Sequence, residues 1–258
     1  MTSALFDLRG HVAVITGSSR GIGRAIAEQL ARAGARVVIS SRKPEAVEAV
    51  AAAIRAEGHE ALAIPANISR KEDLDHLVDA TLAAWGRIDC LVCNAASNPY
   101  FGPMAGLGDE VFDKIMRNNV LANLWLCNRV APGMAERGGG SIIVVSSIGG
   151  LRGDPYLGAY NISKAADMQL VRNLAVEWGG RGVRANTIAP GLIKTDFARA
   201  LWESPALREK VERATPLARI GEPDDIGGIA VFLASRAAAF ITGQVIVADG
   251  GVTAGAAW

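Results

Sequence analysis

The sequence is poor in the residues from which metal sites and disulfide-linked proteins are built. Its 258 residues include three cysteines and three histidines, and only 5% of them are aromatic. Cys90 and Cys93 lie in a short apolar run typical of a strand, where residues three apart point to opposite faces. His11, His59 and His76 are scattered, without a partner at the spacing of metal ligands. We therefore expect neither a disulfide nor a bound metal.

Net charge and long hydrophobic segments are lacking too. The formal net charge is +1, which provides no basic surface for nucleic acid or for an anionic membrane. The most apolar window, residues 226–248, contains Arg236, Gly243 and Gln244, and these exclude a membrane-spanning helix. Residues 1–10 have neither the basic start nor the apolar segment of a secretion signal. We expect a cytoplasmic protein that binds neither nucleic acid nor membranes.

Apolar residues, by contrast, are abundant and regularly arranged. They make up 50% of the chain, which is enough for a large core. Strand-like runs alternate with helical stretches, and this predicts a parallel sheet covered by helices on both faces. The seven runs are residues 12–15, 37–39, 61–64, 90–93, 142–145, 184–188 and 245–247. Since no linker-like segment interrupts them, residues 1–258 are predicted to form one α/β domain.

A glycine-rich turn follows the first predicted strand. Residues 16–23 read Thr-Gly-Ser-Ser-Arg-Gly-Ile-Gly, and a helical pattern follows at once. Gly17, Gly21 and Gly23 would let the backbone turn tightly and approach a pyrophosphate, whose charge the helix N-terminus favours. An ordinary turn is the alternative, but the placement between strand and helix favours a dinucleotide site.

Tyr160 and Lys164 have the spacing of an acid-base pair. They are four residues apart, so on a helix both side chains leave the same face. Ser147 lies thirteen residues before Tyr160. A free tyrosine has a pKa of about 10, but a nearby ammonium favours the phenolate and eases proton exchange. Alone, this spacing also fits an exposed tyrosine beside a solvated lysine.

Further motifs follow in a fixed order along the chain. They are Asn67-Ile68, Asn94-Ala95-Ala96, Asn119-Val120, residues 186–191, Thr195 and Asp249-Gly250-Gly251. Together with the glycine turn and Tyr160, they resemble the short-chain dehydrogenase/reductase family over nearly the whole chain. The resemblance implies a single-domain Rossmann fold with a doubly wound, seven-stranded parallel sheet. It also implies a cofactor-binding half at about residues 8–145, a catalytic and substrate-binding half at about 146–258, and a lid at about 192–213.

Two residues depart from the family's commonest motifs. Asn67 stands where an aspartate is more usual, but its side-chain carbonyl can still accept a hydrogen bond from an adenine amine. Ala96 replaces a glycine, and it would be strained if the backbone there needed a positive φ. Only the second departure puts the local backbone in question.

The resemblance also assigns tasks to particular residues. Tyr160 would exchange a proton with the substrate oxygen, and Ser147 would hold that oxygen. Lys164 would favour the phenolate and bind the nicotinamide ribose, while Asn119 would order a water, which completes a tetrad. The implied cofactor-binding residues are Gly17, Ser19, Arg20, Gly21, Ile22, Gly23, Ser41, Arg42, Asn67, Ile68, Asn94, Ala95, Tyr160, Lys164, Pro190, Gly191, Ile193 and Thr195. As alternatives, Ser147 could merely cap the strand end and Asn119 could merely satisfy backbone groups in its helix.

The end of the second predicted strand favours a phosphorylated cofactor. An NAD enzyme of this fold usually carries Asp or Glu there, which binds the ribose hydroxyls and repels a phosphate. Ser41 occupies that position, Arg42 follows it, and Arg20 projects from the glycine turn. Because both arginines can pair with a ribose 2′-phosphate, NADP(H) is the predicted cofactor and NAD(H) is the alternative.

Aromatic and apolar residues near the nicotinamide loop suggest a hydrophobic ketone, aldehyde or alcohol as substrate. Some of them could instead be core or subunit contacts. These residues are Phe197, Leu201 and Trp202 on the predicted lid, with Tyr100, Phe101 and Tyr156 in neighbouring loops. In motif detail the chain is most similar to the family's NADP-dependent carbonyl reductases of the retinol dehydrogenase/reductase type.

Three other functions stay open. A 3-oxoacyl carrier-protein reductase would need a basic patch, such as Arg152, Lys194 and Arg199, to dock an acidic carrier. An NAD-dependent alcohol dehydrogenase would show the opposite cofactor preference. A dinucleotide sensor without turnover is the alternative outside enzymology. The resemblance also implies a homotetramer that packs the helices around Asn119 and Tyr160 against partner subunits.

Overall fold

Seven strands form one parallel sheet in the computed structural model, which describes residues 4–255. The strands are β1 (Val12–Thr16), β2 (Arg36–Ser40), β3 (Ala61–Ala63), β4 (Cys90–Cys93), β5 (Gly140–Val145), β6 (Val183–Pro190) and β7 (Val245–Ala248). All seven predicted strands are confirmed. Their strongly apolar sequences follow from burial, since every residue of β1 and β4 is buried.

Helices cover the sheet on both faces. Within the described residues they are α1 (Gly21–Arg32), α2 (Pro44–Ala56), α3 (Lys71–Trp85), α4 (Asp109–Met116), α5 (Ala122–Glu136), α6 (Gly158–Trp178), α7 (Arg199–Trp202), α8 (Pro205–Ala214) and α9 (Asp224–Ala234). A π-helical turn, Arg117–Leu121, joins α4 to α5. The core of one face contains residues of α1, α2 and α9, and the core of the other contains residues of α3, α5 and α6. This arrangement is the predicted single-domain, doubly wound Rossmann fold.

The strand order creates a crevice next to β1. The order β3-β2-β1-β4-β5-β6-β7 shows that the chain first winds outward from β1 and then returns to place β4 on its other side. The helices that follow β1 and β4 leave toward opposite faces of the sheet. Ligands bind at such a reversal, outside the carboxyl ends of the strands. The glycine turn after β1, Asn94 after β4 and Ser147 after β5 all lie at this edge.

Alternate side chains of the central strands enter two separate cores. Ile15 belongs to the core under α1 and α9, whereas its neighbour Val14 belongs to the core under α3, α5 and α6. Cys90 and Cys93 divide in the same way and are both buried free thiols, so the prediction that they point to opposite faces is confirmed. Within residues 4–255, no helix has the length and apolar content that crossing a membrane requires.

Two adjacent glycines on α9 provide a test of how that helix packs on α1. A Cβ at Gly227 would lie 2.7 Å from Gln29 Cγ and 3.1 Å from Ala25 O, whereas a Cβ at Gly228 would meet nothing within 4 Å. Gly228→Ala is expected to raise the free energy of unfolding by up to about 1 kcal/mol, because alanine favours the helix. Gly227→Ala should lower it, because the two helices must separate. Chemical denaturation measures both changes, and equal stabilisation by the two substitutions would contradict this packing.

Candidate active site

The side chain of Asn94 holds the glycine turn between β1 and α1. Its Nδ2 donates to Thr16 O at 2.9 Å and to Gly17 O at 3.2 Å. Gly17 and Gly21 have φ values of 66° and 55°, in the left-handed region that favours glycine. A Cβ at Gly23 would collide with Asn94 Nδ2 and lie 2.5 Å from Gly17 O. The turn therefore has the close-packed form that a pyrophosphate-binding turn needs.

The backbone at Ala96 is not strained by the loss of glycine. Among the described residues, the non-glycine residue with a positive φ is Ala218, at 51°, so Ala96 lies outside the left-handed region. The residues before it are fixed to β1, because Thr16 Oγ1 accepts hydrogen bonds from the backbone N–H groups of Asn94 at 3.0 Å and Ala95 at 3.1 Å. The departure at Ala96 is therefore compatible with the predicted site.

The carboxyl edges of β5 and β6 bring several predicted site residues to one cleft. Ser147 follows β5 directly, and its Oγ accepts a hydrogen bond from Gly149 N at 3.0 Å. It thus caps the short 3₁₀ turn that follows, and its hydroxyl hydrogen can still be donated to a substrate oxygen. The cleft has a volume of about 1390 Å³, and the predicted residues that line it are Ile22, Ser147, Tyr160, Pro190, Gly191, Ile193 and Thr195.

Lys164 is buried beside Tyr160, one turn further along α6. Its side chain is 2% exposed, and Nζ donates to Val145 O at 2.9 Å and to Asp167 Oδ2 at 3.1 Å. Nζ also lies 5.7 Å from the centroid of the Tyr160 ring. Burial alone would lower the pKa of Lys164, but the charges of Asp167 and Tyr160 outweigh it and raise that pKa above its ordinary value. The ammonium therefore stays charged at neutral pH, close to the phenol.

Sequence reasoning missed Asp167 and Asn123, which lie beneath Lys164. Asp167 is completely buried, and its Oδ1 accepts a hydrogen bond from Asn123 Nδ2 at 2.9 Å. Burial raises the pKa of Asp167, while the charge of Lys164 opposes this change. The signal was present in the sequence, since residues three apart on a helix share a face and Asp167 is an acid on the apolar face of α6.

Asn119 lies in the π-helical turn and connects the loop after β4 to α6. Its Oδ1 accepts from Ser97 N at 2.8 Å, and its Nδ2 donates to Ser97 O and Ser163 Oγ, both at 3.0 Å. The side chain is completely buried. Its hydrogen bonds reach outside its own helix, which argues against the alternative that it merely satisfies backbone groups of that helix.

The two arginines predicted to bind a 2′-phosphate differ in their partners. Arg20 Nη1 lies 3.2 Å from Asp196 Oδ2, so Arg20 connects the glycine turn to the segment after β6. Arg42 is exposed just after β2, and its side chain forms no hydrogen bond or ion pair within the described part of the chain. Ser41, which precedes it, and Ser19 in the turn are both half-buried. Of the two arginines, Arg42 is therefore the one whose guanidinium is available to a phosphate.

The side chain of Asn67 is used within its own turn. Its Oδ1 accepts hydrogen bonds from Ser69 N at 3.1 Å and from Ser69 Oγ at 2.9 Å. Ile68 packs against the core that contains α3. The predicted hydrogen bond from an adenine amine to Asn67 Oδ1 would have to share this oxygen with Ser69, and it stays a prediction.

The predicted lid contains a 3₁₀ turn, Asp196–Ala198, followed by α7 and α8. The ring of Phe197 lies 6.1 Å from that of Tyr160, and Trp202 Nε1 donates to Thr195 O at 2.8 Å. The side chain of Leu201 lies outside the described part of the structure. The predicted lid segment therefore contributes Phe197 and Leu207 to the lining of the cleft.

The lining of the cleft does not support the pocket role predicted for the neighbouring aromatic loops. Tyr100, Phe101 and Tyr156 are not among the residues that line the cleft. Phe101 and Tyr156 stack on each other with centroids 5.3 Å apart, and Tyr100 Oη donates to Pro103 O at 2.7 Å. Among the aromatic residues suggested for the substrate pocket, Phe197 lines the cleft, whereas Trp202 does not.

The fold and the residues of the cleft together indicate a class of enzyme. A doubly wound sheet with a glycine turn at its reversal and a buried ammonium beside a phenol defines an oxidoreductase that depends on a dinucleotide. A family profile described as Enoyl-(Acyl carrier protein) reductase matches residues 17–253. The chain belongs to the short-chain dehydrogenase/reductase family, as its motifs indicated, and it is an oxidoreductase of alcohol and carbonyl groups.

Named relatives and solved structures are similar over nearly the full chain. Dehydrogenase/reductase SDR family member 4 of Bos taurus is 44% identical over 244 residues, which cover 95% of this chain and 88% of the relative. A gluconate 5-dehydrogenase from Burkholderia cenocepacia in complex with NADP and tartrate is 34% identical with a TM-score of 0.94, over 98% of this chain and 99% of that chain. A 7 alpha-hydroxysteroid dehydrogenase complexed with NADH and 7-oxo glycochenodeoxycholic acid is 35% identical with a TM-score of 0.93, over 97% of each chain.

Gly23 provides a test of the glycine turn. Gly23→Ala should displace Asn94 and open the turn, because the new methyl group collides with Asn94 Nδ2. We expect NADPH binding, measured by fluorescence titration, to weaken about tenfold or more, since overpacking costs about 1–3 kcal/mol. Gly228→Ala on α9, where a Cβ meets nothing within 4 Å, is the matched control. Unchanged affinity in a folded Gly23→Ala variant would show that the turn does not bind the dinucleotide.

Proposed function

We propose that this protein transfers a hydride between NADP(H) and an apolar ketone, aldehyde or secondary alcohol. Asn119, Ser147, Tyr160 and Lys164 act as its tetrad. The observation that carries the proposal is the Lys164 ammonium, which is fully buried 5.7 Å from the ring of Tyr160 at the edge of the cleft. A buried cation in this position stabilises the negative charge that the phenol oxygen carries while its proton is transferred.

The residues present fit a dinucleotide. A Cβ at Gly23 would collide with Asn94 Nδ2, so only glycine fits this close-packed turn, and the turn approaches Asn94 and Ala95 closely at Gly17. When bound, the cofactor supplies or accepts the hydride at its nicotinamide ring. Lys164 uses two of its three ammonium hydrogens on Val145 O and Asp167, which leaves one for the nicotinamide ribose. Pro190, Gly191, Ile193 and Thr195 would hold the nicotinamide at the cleft.

The side chains of the cleft divide the proton chemistry between them. In reduction Tyr160 donates its proton to the substrate oxygen, and in oxidation it takes that proton back. Ser147 donates a hydrogen bond to the same oxygen while negative charge develops on it. Asn119 fixes α6 to the loop after β4, so that Tyr160 and Lys164 keep their positions.

The preference for NADP(H) rests on Ser41 and Arg42. A serine at the end of β2 offers no carboxylate to repel a 2′-phosphate, and the side chain of Arg42 is free to pair with it. The similar gluconate 5-dehydrogenase was solved with NADP, which supports this choice. The similar hydroxysteroid dehydrogenase was solved with NADH, so NAD(H) is the alternative that the cofactor test must exclude.

The cleft favours an apolar substrate. Leu157, Ile193, Phe197, Leu207 and Val211 contribute to its lining. Such a lining suits ketones, aldehydes and alcohols with a bulky hydrocarbon part. This proposal extends the motif similarity to carbonyl reductases of the retinol dehydrogenase/reductase type.

The structure gives less support to a 3-oxoacyl carrier-protein reductase. Two of the three cations proposed to dock an acidic carrier already face acids, since Lys194 Nζ lies 3.8 Å from Glu222 Oε1 and Arg199 pairs with Asp196. A 3-oxoacyl thioester in the substrate panel tests this alternative directly. The non-catalytic sensor would bind NADPH without any turnover.

We also propose an organisation for the whole chain. The cofactor-binding half spans about residues 8–145, the catalytic half about 146–258 and the lid about 192–213. A homotetramer and a cytoplasmic location complete the proposal. One relative, Dehydrogenase/reductase SDR family member 2 of Homo sapiens, is named mitochondrial, so fractionation of cells must decide the location.

Replacement of Tyr160 tests the reaction. Tyr160→Phe keeps the ring and removes the proton donor, so turnover in both directions should fall at least about a hundredfold, the usual contribution of an acid-base group. Initial rates with NADPH against ketones, aldehydes and diketones measure this fall. Tyr156→Phe, an exposed tyrosine outside the cleft lining, is the matched control. Full activity of Tyr160→Phe would refute the proposed mechanism.

Replacement of Arg42 tests the cofactor. Arg42→Ala should weaken NADPH binding about ten- to a hundredfold and leave NADH binding unchanged, because only NADPH carries the 2′-phosphate. Arg32→Ala removes an exposed arginine that pairs with Glu57 at the far end of α1 and serves as control. The ratio of the two dissociation constants is the measured quantity. An unchanged ratio in Arg42→Ala would contradict the assignment.

A further inference from the structure

We propose that Asp167 is a positioning residue of the tetrad, whose buried carboxylate keeps the Lys164 ammonium charged and fixed. The proposal rests on the proposed function, in which Lys164 acts on Tyr160. Lys164 and Asp167 lie three residues apart on α6, are 2% and 0% exposed, and are joined by a contact of 3.1 Å. No water shell can therefore take the place of either partner.

The hydrogen bonds around Asp167 show that it is a carboxylate. Oδ2 faces the ammonium of Lys164, and Oδ1 faces Nδ2 of Asn123 at 2.9 Å. The orientation of the Asn123 amide is fixed, because the same Nδ2 also donates to Asn119 O at 2.6 Å, and a carbonyl oxygen can only accept. Both oxygens of Asp167 therefore face donors, as an ionised carboxyl group requires.

Other groups near Lys164 do not supply the negative charge. Tyr160 faces Nζ from α6, Cys93 faces it from β4, and Val145 of β5 offers a neutral carbonyl. A hydrogen bond with Cys127 of α5, together with burial, raises the pKa of the Cys93 thiol well above its ordinary value, so this thiol is neutral. Tyr160 is the group that must gain and lose a proton during the reaction. Within the described part of the chain, the permanent counter-charge is therefore Asp167.

The counter-charge matters because burial strongly disfavours an isolated ammonium. A fully buried lysine without a partner releases its proton within the neutral range. Neutral Lys164 would no longer favour the phenolate of Tyr160, and oxidation would slow. Asp167 also sets the position of Lys164 Nζ relative to Asn119. The link is Asn123, whose Nδ2 donates both to Asp167 Oδ1 and to Asn119 O.

The substitution Asp167→Asn tests the charge directly. It keeps an acceptor for Lys164 and removes the negative charge with little change of volume. NMR titration of protein labelled with ¹³C at the lysine Cε, with Lys164→Arg used for assignment, follows the protonation of Lys164 without any substrate. We expect the proton affinity of Lys164 to fall at least about tenfold, toward that of a buried unpaired lysine. An unchanged titration of Lys164 would overturn the proposal.

Asp89→Asn is the matched control. Asp89 is also a buried carboxylate, but it pairs with Arg87 at 2.7 Å and accepts a hydrogen bond from Val12 N, at the other end of β1. Its loss should destabilise the fold and leave the titration of Lys164 unchanged. A shift of Lys164 in this control equal to that in Asp167→Asn would attribute the effect to general loosening and would overturn the proposal.

The pH profile of alcohol oxidation gives a second measurement. With NADP⁺ and the most active alcohol of the panel, the wild-type rate should rise with pH and reach a plateau, because Lys164 keeps its proton. In Asp167→Asn the rate should fall again toward alkaline pH, where Lys164 becomes neutral. A plateau in both proteins would contradict the proposal. A wild-type protein without turnover would instead overturn the proposed function, while the NMR titration still tests Asp167.

A double substitution decides the case in which Asp167→Asn does not fold. Lys164→Met with Asp167→Leu removes both charges and replaces them with apolar groups of similar size, which proteins commonly tolerate. Recovery of the fold in this variant, with Asp167→Leu alone unfolded, would show that the two charges compensate each other. Failure to recover would mean that Asp167 is needed for packing alone and would overturn the proposal.

Discussion

The side chain of Asn94 donates hydrogen bonds to backbone carbonyls at the end of β1, where the strand order of the sheet reverses. The helices after β1 and β4 pack on opposite faces of the sheet and so leave a crevice at the carboxyl ends of these strands. Unpaired backbone groups in such a place are costly, and the amide of Asn94 binds Thr16 O and Gly17 O. The same amide excludes a side chain at Gly23. The close packing of the glycine turn thus follows from how the reversal is closed.

A chain of polar groups, most of them buried, extends this arrangement to the helix that carries Tyr160 and Lys164. Ser97, in the loop after β4, exchanges hydrogen bonds with Asn119, and Asn119 also contacts Ser163 of α6. Asn123 then binds Asp167, and Asp167 binds Lys164. Such networks are favourable in the interior only when their members find partners, and the Ser163 hydroxyl in turn donates to Tyr160 O at 2.7 Å. The groups that move the proton are therefore held by the same contacts that join α5 to α6.

Strand positions, the glycine turn and the opposite faces of Cys90 and Cys93 could be predicted from the sequence. These features are local, because they depend on the period of apolar residues and on which residues tolerate a positive φ. Contacts between distant elements could not be predicted in the same way. The pairing of Asp167 with Asn123 joins residues 44 positions apart, and it depends on how α5 packs against α6.

The aromatic loops and Asn67 show a second limit of sequence patterns. Phe101 and Tyr156 bury part of their surfaces against each other, and a pattern that marks them as apolar cannot say which surface each one meets. Asn67 can offer its carbonyl to an adenine or to Ser69, and the path of the turn decides between them. In both cases the residue type is informative, whereas its partner depends on the path of the surrounding loop.

The π-helical turn at Arg117–Leu121 makes α4 and α5 two out-of-phase parts of a continuous helix. One extra residue in a turn rotates all that follows by about 100° relative to an uninterrupted α-helix. The face of α4 that buries Ile115 and the face of α5 that buries Leu126 are therefore offset from each other. Loss of a single residue from this turn would leave both halves helical while turning Asn119 and Asn123 away from α6. The number of residues in this turn therefore sets how α4 and α5 are rotated relative to each other.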